Sequence, residues 1–182
     1  MRFLCLAWLL LFLLNPVAAA QNAPQKEIFV GYSFVAASPN VPGSPSFHAH
    51  GGVGSLTYYP RDWFGIVADL GGYRVSPAGG VTVNTLFTYL FGPRLIYPAR
   101  RAKPFLQLLA GGAHARNNAP GAAVPSNGFA MSFGGGIDLP LSRRVGLRLG
   151  PAEYLFTRFG PSPAPGSPRI NARLSTGVFF RF

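Results

Sequence analysis

The stretch Arg169-Ile170-Asn171-Ala172-Arg173-Leu174-Ser175-Thr176-Gly177-Val178-Phe179-Phe180-Arg181-Phe182 alternates almost without a break. Ile170, Ala172, Leu174, Thr176, Val178, Phe180 and Phe182 share one face. Arg169, Asn171, Arg173, Ser175, Gly177, Phe179 and Arg181 share the other, the two-residue period of a β-strand. In a soluble protein the apolar face would pack on a core and the basic face would be wet. In a transmembrane barrel the apolar face would meet lipid and the basic face a polar interior. The rest of the chain decides between the two.

The amino terminus reads as an export signal. Arg2 is a minimal positive region, Phe3 to Leu14 an apolar run too short to span as a helix, and Asn15-Pro16-Val17-Ala18-Ala19-Ala20 a small-residue cleavage site before Gln21. Residues 1–20 are expected to be a signal peptide and residues 21–182 a barrel domain. The single cysteine, Cys5, falls inside the leader, so residues 21–182 contain no disulfide, thiol nucleophile or thiolate ligand.

Composition agrees. Charged residues are 12% of the chain, about half the usual share for soluble proteins, and aromatics are 14%. Residues 21–182 hold no apolar run long enough to span as a helix, so a chain this poor in charge must hide its apolar surface otherwise. A closed barrel does so by turning that surface outward to lipid. The net charge of +11 comes from 16 basic and 5 acidic residues. The basic residues are not gathered on one helix or stripe, and an exported chain rarely meets nucleic acid, so no nucleic-acid partner is inferred. They fall instead in short turns (Arg61; Arg100, Arg101 and Lys103; Arg143 and Arg144) and inside strand-like runs (Arg94, Arg148, Arg173 and Arg181).

About eight strands are predicted, near 28–36, 48–59, 63–74, 83–97, 104–114, 129–139, 145–159 and 169–182. Their connections differ by parity. The odd ones (Ala37 to Phe47, Val75 to Thr82, Ala115 to Gly128, Gly160 to Pro168) are rich in Pro, Gly, Ser and Asn and nearly free of charge. The even ones (Pro60-Arg61-Asp62, Pro98 to Lys103, Pro140 to Arg144) are short and basic. Long loops at one end and tight turns at the other is the asymmetry of outer-membrane barrels, with the tight end in the periplasm.

Phasing is uneven. Phe64, Ile66, Ala68 and Leu70 alternate with Gly65, Val67, Asp69 and Gly71; Met131, Phe133, Ile137 and Leu139 alternate with Ser132, Gly134, Gly136 and Asp138. Both strands put a lone carboxylate on the face away from lipid. The fourth and fifth are apolar on both faces and cannot be phased from sequence. The seventh breaks phase at Gly150-Pro151, where proline removes a ladder donor and a bulge is expected. Beyond it Glu153 turns inward, with Tyr154 and Phe156 on alternate sides.

Glu27-Ile28-Phe29-Val30-Gly31-Tyr32-Ser33 resembles the opening strand of small outer-membrane β-barrel proteins of the OmpA/OmpX-like type. Trp63 to Asp69, Leu90 to Arg94, Gly134 to Asp138 and Arg173 to Val178 are similar to that family's later strands, and the resemblance covers essentially all of 21–182. It implies an eight-stranded antiparallel up-and-down transmembrane barrel in a Gram-negative type outer membrane, and it brings no catalytic residues or cofactor. The peptidoglycan-binding domain of larger relatives is not expected, so their anchoring role does not carry over. The final Phe182, in phase with Phe180 and Val178, resembles the signal read by outer-membrane barrel assembly machinery.

Groups that could carry chemistry are few. His48 and His50 share a strand face and could chelate a metal, but no third ligand is evident. A barrel deacylase would need a Ser-His-acid arrangement; His48 and His114 lie at the loop end but lack a His-x-Ser spacing, and acids are scarce. Gly51-Gly52-Val53-Gly54, Gly71-Gly72 and Gly134-Gly135-Gly136 are not followed by a helix or a Lys-Ser/Thr pair, so they are not phosphate loops. The inward charges say more: Asp69, Asp138 and Glu153 alternate in phase with Arg94, Arg148 and Arg173. Counting across hairpins sets Arg148 diagonal to Asp138 and Arg173 diagonal to Glu153. Buried charges must pair, either as a structural plug or as a gated ion path.

The expectation is a monomeric, non-enzymatic barrel in contact with outer-membrane lipid. It would act through its loops or as an envelope component. A narrow channel, a lipid-modifying enzyme and a soluble, exported lipocalin-like barrel are the rivals.

Overall fold

A computed structural model of the chain describes residues 26–37, 47–76, 84–99, 101–116, 126–159 and 169–182. The predicted leader and most of each odd-numbered connection lie outside the described residues. The described residues form eight strands: β1 Lys26–Ala37, β2 Phe47–Arg61, β3 Phe64–Ser76, β4 Asn84–Ile96, β5 Lys103–Arg116, β6 Ser126–Pro140, β7 Val145–Phe159 and β8 Arg169–Arg181. Each pairs antiparallel with its neighbours in sequence, and β1 pairs antiparallel with β8, so the sheet closes into an all-β barrel. Closure leaves no strand edge unpaired. At the seam Ile28 faces Phe180 and Val30 faces Val178, while the backbones of Lys26 and Phe182 exchange hydrogen bonds of 3.1 and 3.0 Å.

The alternation in sequence becomes an inside and an outside. Residues 27, 29, 33 and 35 of β1 and 171, 173, 175 and 179 of β8 are buried, whereas Ile28, Val30, Phe34, Leu174 and Phe180 are exposed on the outer wall. Closure also phases the strands that sequence left open. In β4, Thr88, Leu90, Arg94 and Ile96 point inward and Phe87, Tyr89, Phe91 and Leu95 outward. In β5, Phe105, Gln107 and Leu109 point inward and Leu106 and Leu108 outward.

The break in β7 is a register shift between Leu149 and Ala152 against β8, with Gly150 at φ +88°, a conformation that favours glycine. Before it the even-numbered Arg148 faces inward; after it the odd-numbered Glu153, Leu155 and Thr157 do. Tyr154 and Phe156 both lie on the outer side, correcting the expectation that they alternate: one bulge shifts the phase once, and regular pleating resumes beyond it.

Inside, Val67, Leu90, Leu109, Ala113, Ala130 and Leu155 form one apolar cluster, and Tyr59, Ile96 and Phe105 another nearer the short turns. At the seam Gly31 faces Gly177, and a Cβ on either would run into the Phe29 ring, at 2.6 and 2.9 Å. Glycine here lets that ring lie flat against the wall.

Candidate functional site

The space between these clusters is occupied by charge. Arg94, Arg148 and Arg173 lead the fully buried side chains by size, an inversion of the usual soluble core. Each is delivered by the inward phase of its strand, and each finds carboxylates on other strands.

Glu27, at the start of β1, is the hub nearest the short turns. Its Oε1 accepts from Arg148 Nη2 at 2.5 Å, from Tyr59 Oη at 3.2 Å and from Arg94 Nη1 at 3.3 Å. Its Oε2 accepts from Arg181 Nε at 2.8 Å. Asp138 takes a two-point contact from Arg148, Nε to Oδ1 at 2.7 Å and Nη2 to Oδ2 at 2.9 Å, with Arg181 Nη2 at 3.2 Å. The paired hydrogen bonds hold the guanidinium plane as well as its charge. Aromatic faces complete the setting: Arg148 lies 4.9 Å from the Phe29 ring centre and 5.0 Å from that of Phe105, and Arg94 lies 4.6 Å from that of Phe105.

Toward the long connections the arrangement inverts. Arg173 pairs with Glu153 and donates from Nη1 to Asp69 at 2.9 Å and to the Tyr73 hydroxyl at 3.2 Å. Ser132 donates to Glu153 at 3.3 Å. Gln107 joins the halves: its carbonyl oxygen accepts from Arg94 Nε and Nη2 at 2.9 and 2.6 Å, and its amide nitrogen donates to Glu153 at 2.6 Å. Four carboxylates thus meet four guanidiniums in one connected chain of contacts.

No protein-family model matches the chain, and no curated protein matches it by sequence. Solved structures do match. Neisserial surface protein A superimposes with a TM-score of 0.70 at 17% identity, over 89% of this chain and 100% of its own. Ail, the attachment invasion locus protein of Yersinia pestis, gives 0.59 at 13% identity over 86% and 97%. The N-terminal barrel domain of Pseudomonas aeruginosa OprF gives 0.56 at 12% identity over 88% and 100%. The fold is that of the eight-stranded outer-membrane barrels.

In this barrel all six charged residues read from sequence as interior (Asp69, Arg94, Asp138, Arg148, Glu153 and Arg173) point into the lumen and are buried. One detail changes: Asp138 lies directly opposite Arg148, and Glu153 directly opposite Arg173, rather than diagonally. The hairpins themselves set this register, with Pro140 opposite Gly146 and Thr157 opposite Arg169, and both bulges lie farther from the connections than the two ion pairs do. Sequence reasoning missed Glu27, Gln107, Tyr59 and Tyr73, and it put Arg181 on the inward face of the last strand without giving it a partner. Glu27 was cut off by starting the first strand at residue 28, although it shares its parity with Phe29 and is one of only 5 acids.

The other singled-out residues are dispersed. Phe180 and Phe182 are exposed on the outer wall, with Val178 half-buried in phase with them. Arg61 ends β2, and Arg101, Arg143 and Arg144 are exposed in the short connections. Lys103 opens β5 opposite Asp138. Arg100 lies outside the described residues. His48 and His50 face outward and stack on Phe34 and Tyr32, with ring centres 5.5 and 6.4 Å apart, while His114 Nδ1 lies 2.6 Å from Asn127 Oδ1. No group of three metal-binding side chains occurs among the described residues.

Proposed function

We propose that the protein is a non-enzymatic component of a Gram-negative type outer membrane. It is exported by its leader, residues 1–20, inserted by barrel assembly machinery that reads Val178, Phe180 and Phe182 on the last strand, and seated in lipid as a monomer. The inside-out distribution of polarity carries this reading. Phe87, Tyr89, Phe91, Leu106, Phe133 and Tyr154 are exposed on the outer wall while arginines and carboxylates fill the interior. Water would penalise that arrangement; lipid rewards it. A closed sheet also leaves no edge for a partner strand, which supports a monomer.

The lumen supports a plug rather than a conduit, because each lumenal arginine is engaged by a carboxylate. The stacked, outward-facing His48 and His50 support a non-enzymatic reading. Arg101, Arg143 and Arg144 at the short turns suit the anionic phosphates of the inner leaflet, at about 1 kcal/mol for each cation near the surface. That puts the short turns in the periplasm and the long connections outside.

Detergent-extracted protein run on a gel with and without boiling tests the core of this proposal. A heat-dependent shift is expected, and unshifted migration would return the soluble lipocalin-like reading. Planar bilayers should show no discrete conductance, whereas single-channel steps would favour the channel. Cysteine placed at Ser126 should label from outside intact cells and cysteine at Ser142 should not. Phe182→Ala should lower the amount reaching the membrane; unchanged levels would remove the assembly-signal role.

A further inference from the structure

One rung of the outer wall stands apart from the apolar band. Across the register Phe34 faces His50, His50 faces Arg74, Arg74 faces Thr85, and Thr85 faces Arg116. His50, Arg74, Thr85 and Arg116 are exposed, on the same outward phase as Leu70, Phe87 and Leu106. The rung lies close to where β3 and β5 enter the long connections, Arg74 two residues before Ser76 and Arg116 closing β5. Neighbouring strands lie about 4.8 Å apart, so the two arginines begin about 10 Å from each other with a threonine hydroxyl between them. Two long side chains rooted at that spacing can converge on one anion.

The chain has no carboxylate side chain to give them. It contains 5 acidic residues. Glu27, Asp69, Asp138 and Glu153 are pointed into the lumen and paired there. Asp62 sits in the turn after β2, at the opposite end of the barrel. Arginine on a lipid-facing wall is costly unless its head reaches water or an anion, and its stem is long enough to reach the headgroup layer.

Next to the rung, toward the midplane, the wall is bare. Gly52 faces Gly72, and the pair is flanked by Tyr32 and Phe87. A Cβ at Gly52 would meet nothing within 4 Å, and one at Gly72 only Phe87 Cδ2 at 3.9 Å. Packing within the barrel therefore does not require glycine at either position. The result is a patch of wall two strands wide without side chains, between two aromatic rings and next to His50 and Arg74 on the midplane side.

We propose that this rung binds the phosphate of a phosphorylated glycolipid of the outer leaflet. Arg74 and Arg116 converge on the phosphate, Thr85 donates its hydroxyl, His50 flanks it, and one acyl chain lies along Gly52 and Gly72. A phosphate monoester carries close to two negative charges and matches two guanidiniums; the diester of an ordinary phospholipid carries one. The inference rests on the membrane-barrel reading above and adds a ligand to it.

The test is native mass spectrometry of the purified barrel in detergent, titrated with diphosphorylated lipid A, its fully dephosphorylated counterpart and phosphatidylglycerol. The wild type should bind lipid A at least about tenfold more tightly than either competitor. Arg74→Ala with Arg116→Ala should erase that preference, and Gly52→Leu with Gly72→Leu should weaken lipid A binding. Both variants should keep the heat-dependent gel shift, because neither pair touches the lumen. Undiminished preference in the arginine variant, or equal binding of the dephosphorylated lipid, would overturn the proposal. Equal binding of phosphatidylglycerol would overturn the monoester assignment. Failure of the membrane-barrel reading would show earlier and separately, as a wild type without a gel shift.

Discussion

Toward the short turns the lumen sets two carboxylates, Glu27 and Asp138, against three guanidiniums, those of Arg94, Arg148 and Arg181. Toward the long connections it sets two carboxylates, Asp69 and Glu153, against Arg173 alone. One half shares an anion among cations and the other shares a cation between anions. Each is off balance by one charge, in opposite senses, and Gln107 lies between them with its carbonyl toward the cationic half and its amide toward the anionic half. Neutrality is thus a property of the whole lumen and of no single cross-strand pair. That matters in a confined interior, where an uncompensated charge costs far more than at a surface.

The two halves should fail differently. Glu27→Ala is expected to be the most damaging single change, at or above the upper end of about 3–5 kcal/mol for breaking a buried pair. It strands three guanidiniums with one remaining carboxylate, and a guanidinium has no neutral form to retreat to. Arg173→Ala should cost somewhat less, toward the lower end of about 3–5 kcal/mol, because a stranded carboxylate can take up a proton. Unfolding in urea from detergent or vesicles would rank them, and a larger loss for Arg173→Ala would break the comparison. Glu153→Ala combined with Arg173→Ala should cost less than the sum of the two, while strict additivity would mean that the two residues do not interact.

The parts that sequence made legible are those governed by a two-residue period. Arg169 to Phe182, Phe64 to Gly71 and Met131 to Leu139 each declare their inward face, because polar or small residues alternate with large apolar ones. Strands β4 and β5 do not, since Leu86, Leu90 and Leu109 inside are as apolar as Phe87, Phe91 and Leu108 outside. Only the register with neighbouring strands fixes their phase. The hub at Glu27 was hidden for another reason. Its partners Arg94, Arg148 and Arg181 come from β4, β7 and β8, and a network closed across the barrel has no signature along the chain. The cations of the outer rung were overlooked because Arg74 and Arg116 sit at strand ends, where charge ordinarily needs no explanation.

Gln107 offers finer tests of how the halves depend on each other. Leucine at this position keeps much of the volume while removing both ends of the bridge. Arg94 would lose two hydrogen bonds and keep Glu27, and Glu153 would lose one and keep Arg173 and Ser132. The expected cost is about 1–3 kcal/mol, below either change above, because charged partners remain on both sides. The smallest and most telling effect concerns coupling. With Gln107 present, Asp138→Ala on one side and Asp69→Ala on the other should depart from additivity by more than about 0.5 kcal/mol, although the two residues do not touch. In the Gln107→Leu background the same cycle should close to within about 0.5 kcal/mol. Equal coupling in both backgrounds would mean that the halves sense each other through the field of the lumen as a whole. Gln107 would then fill space between two networks without joining them.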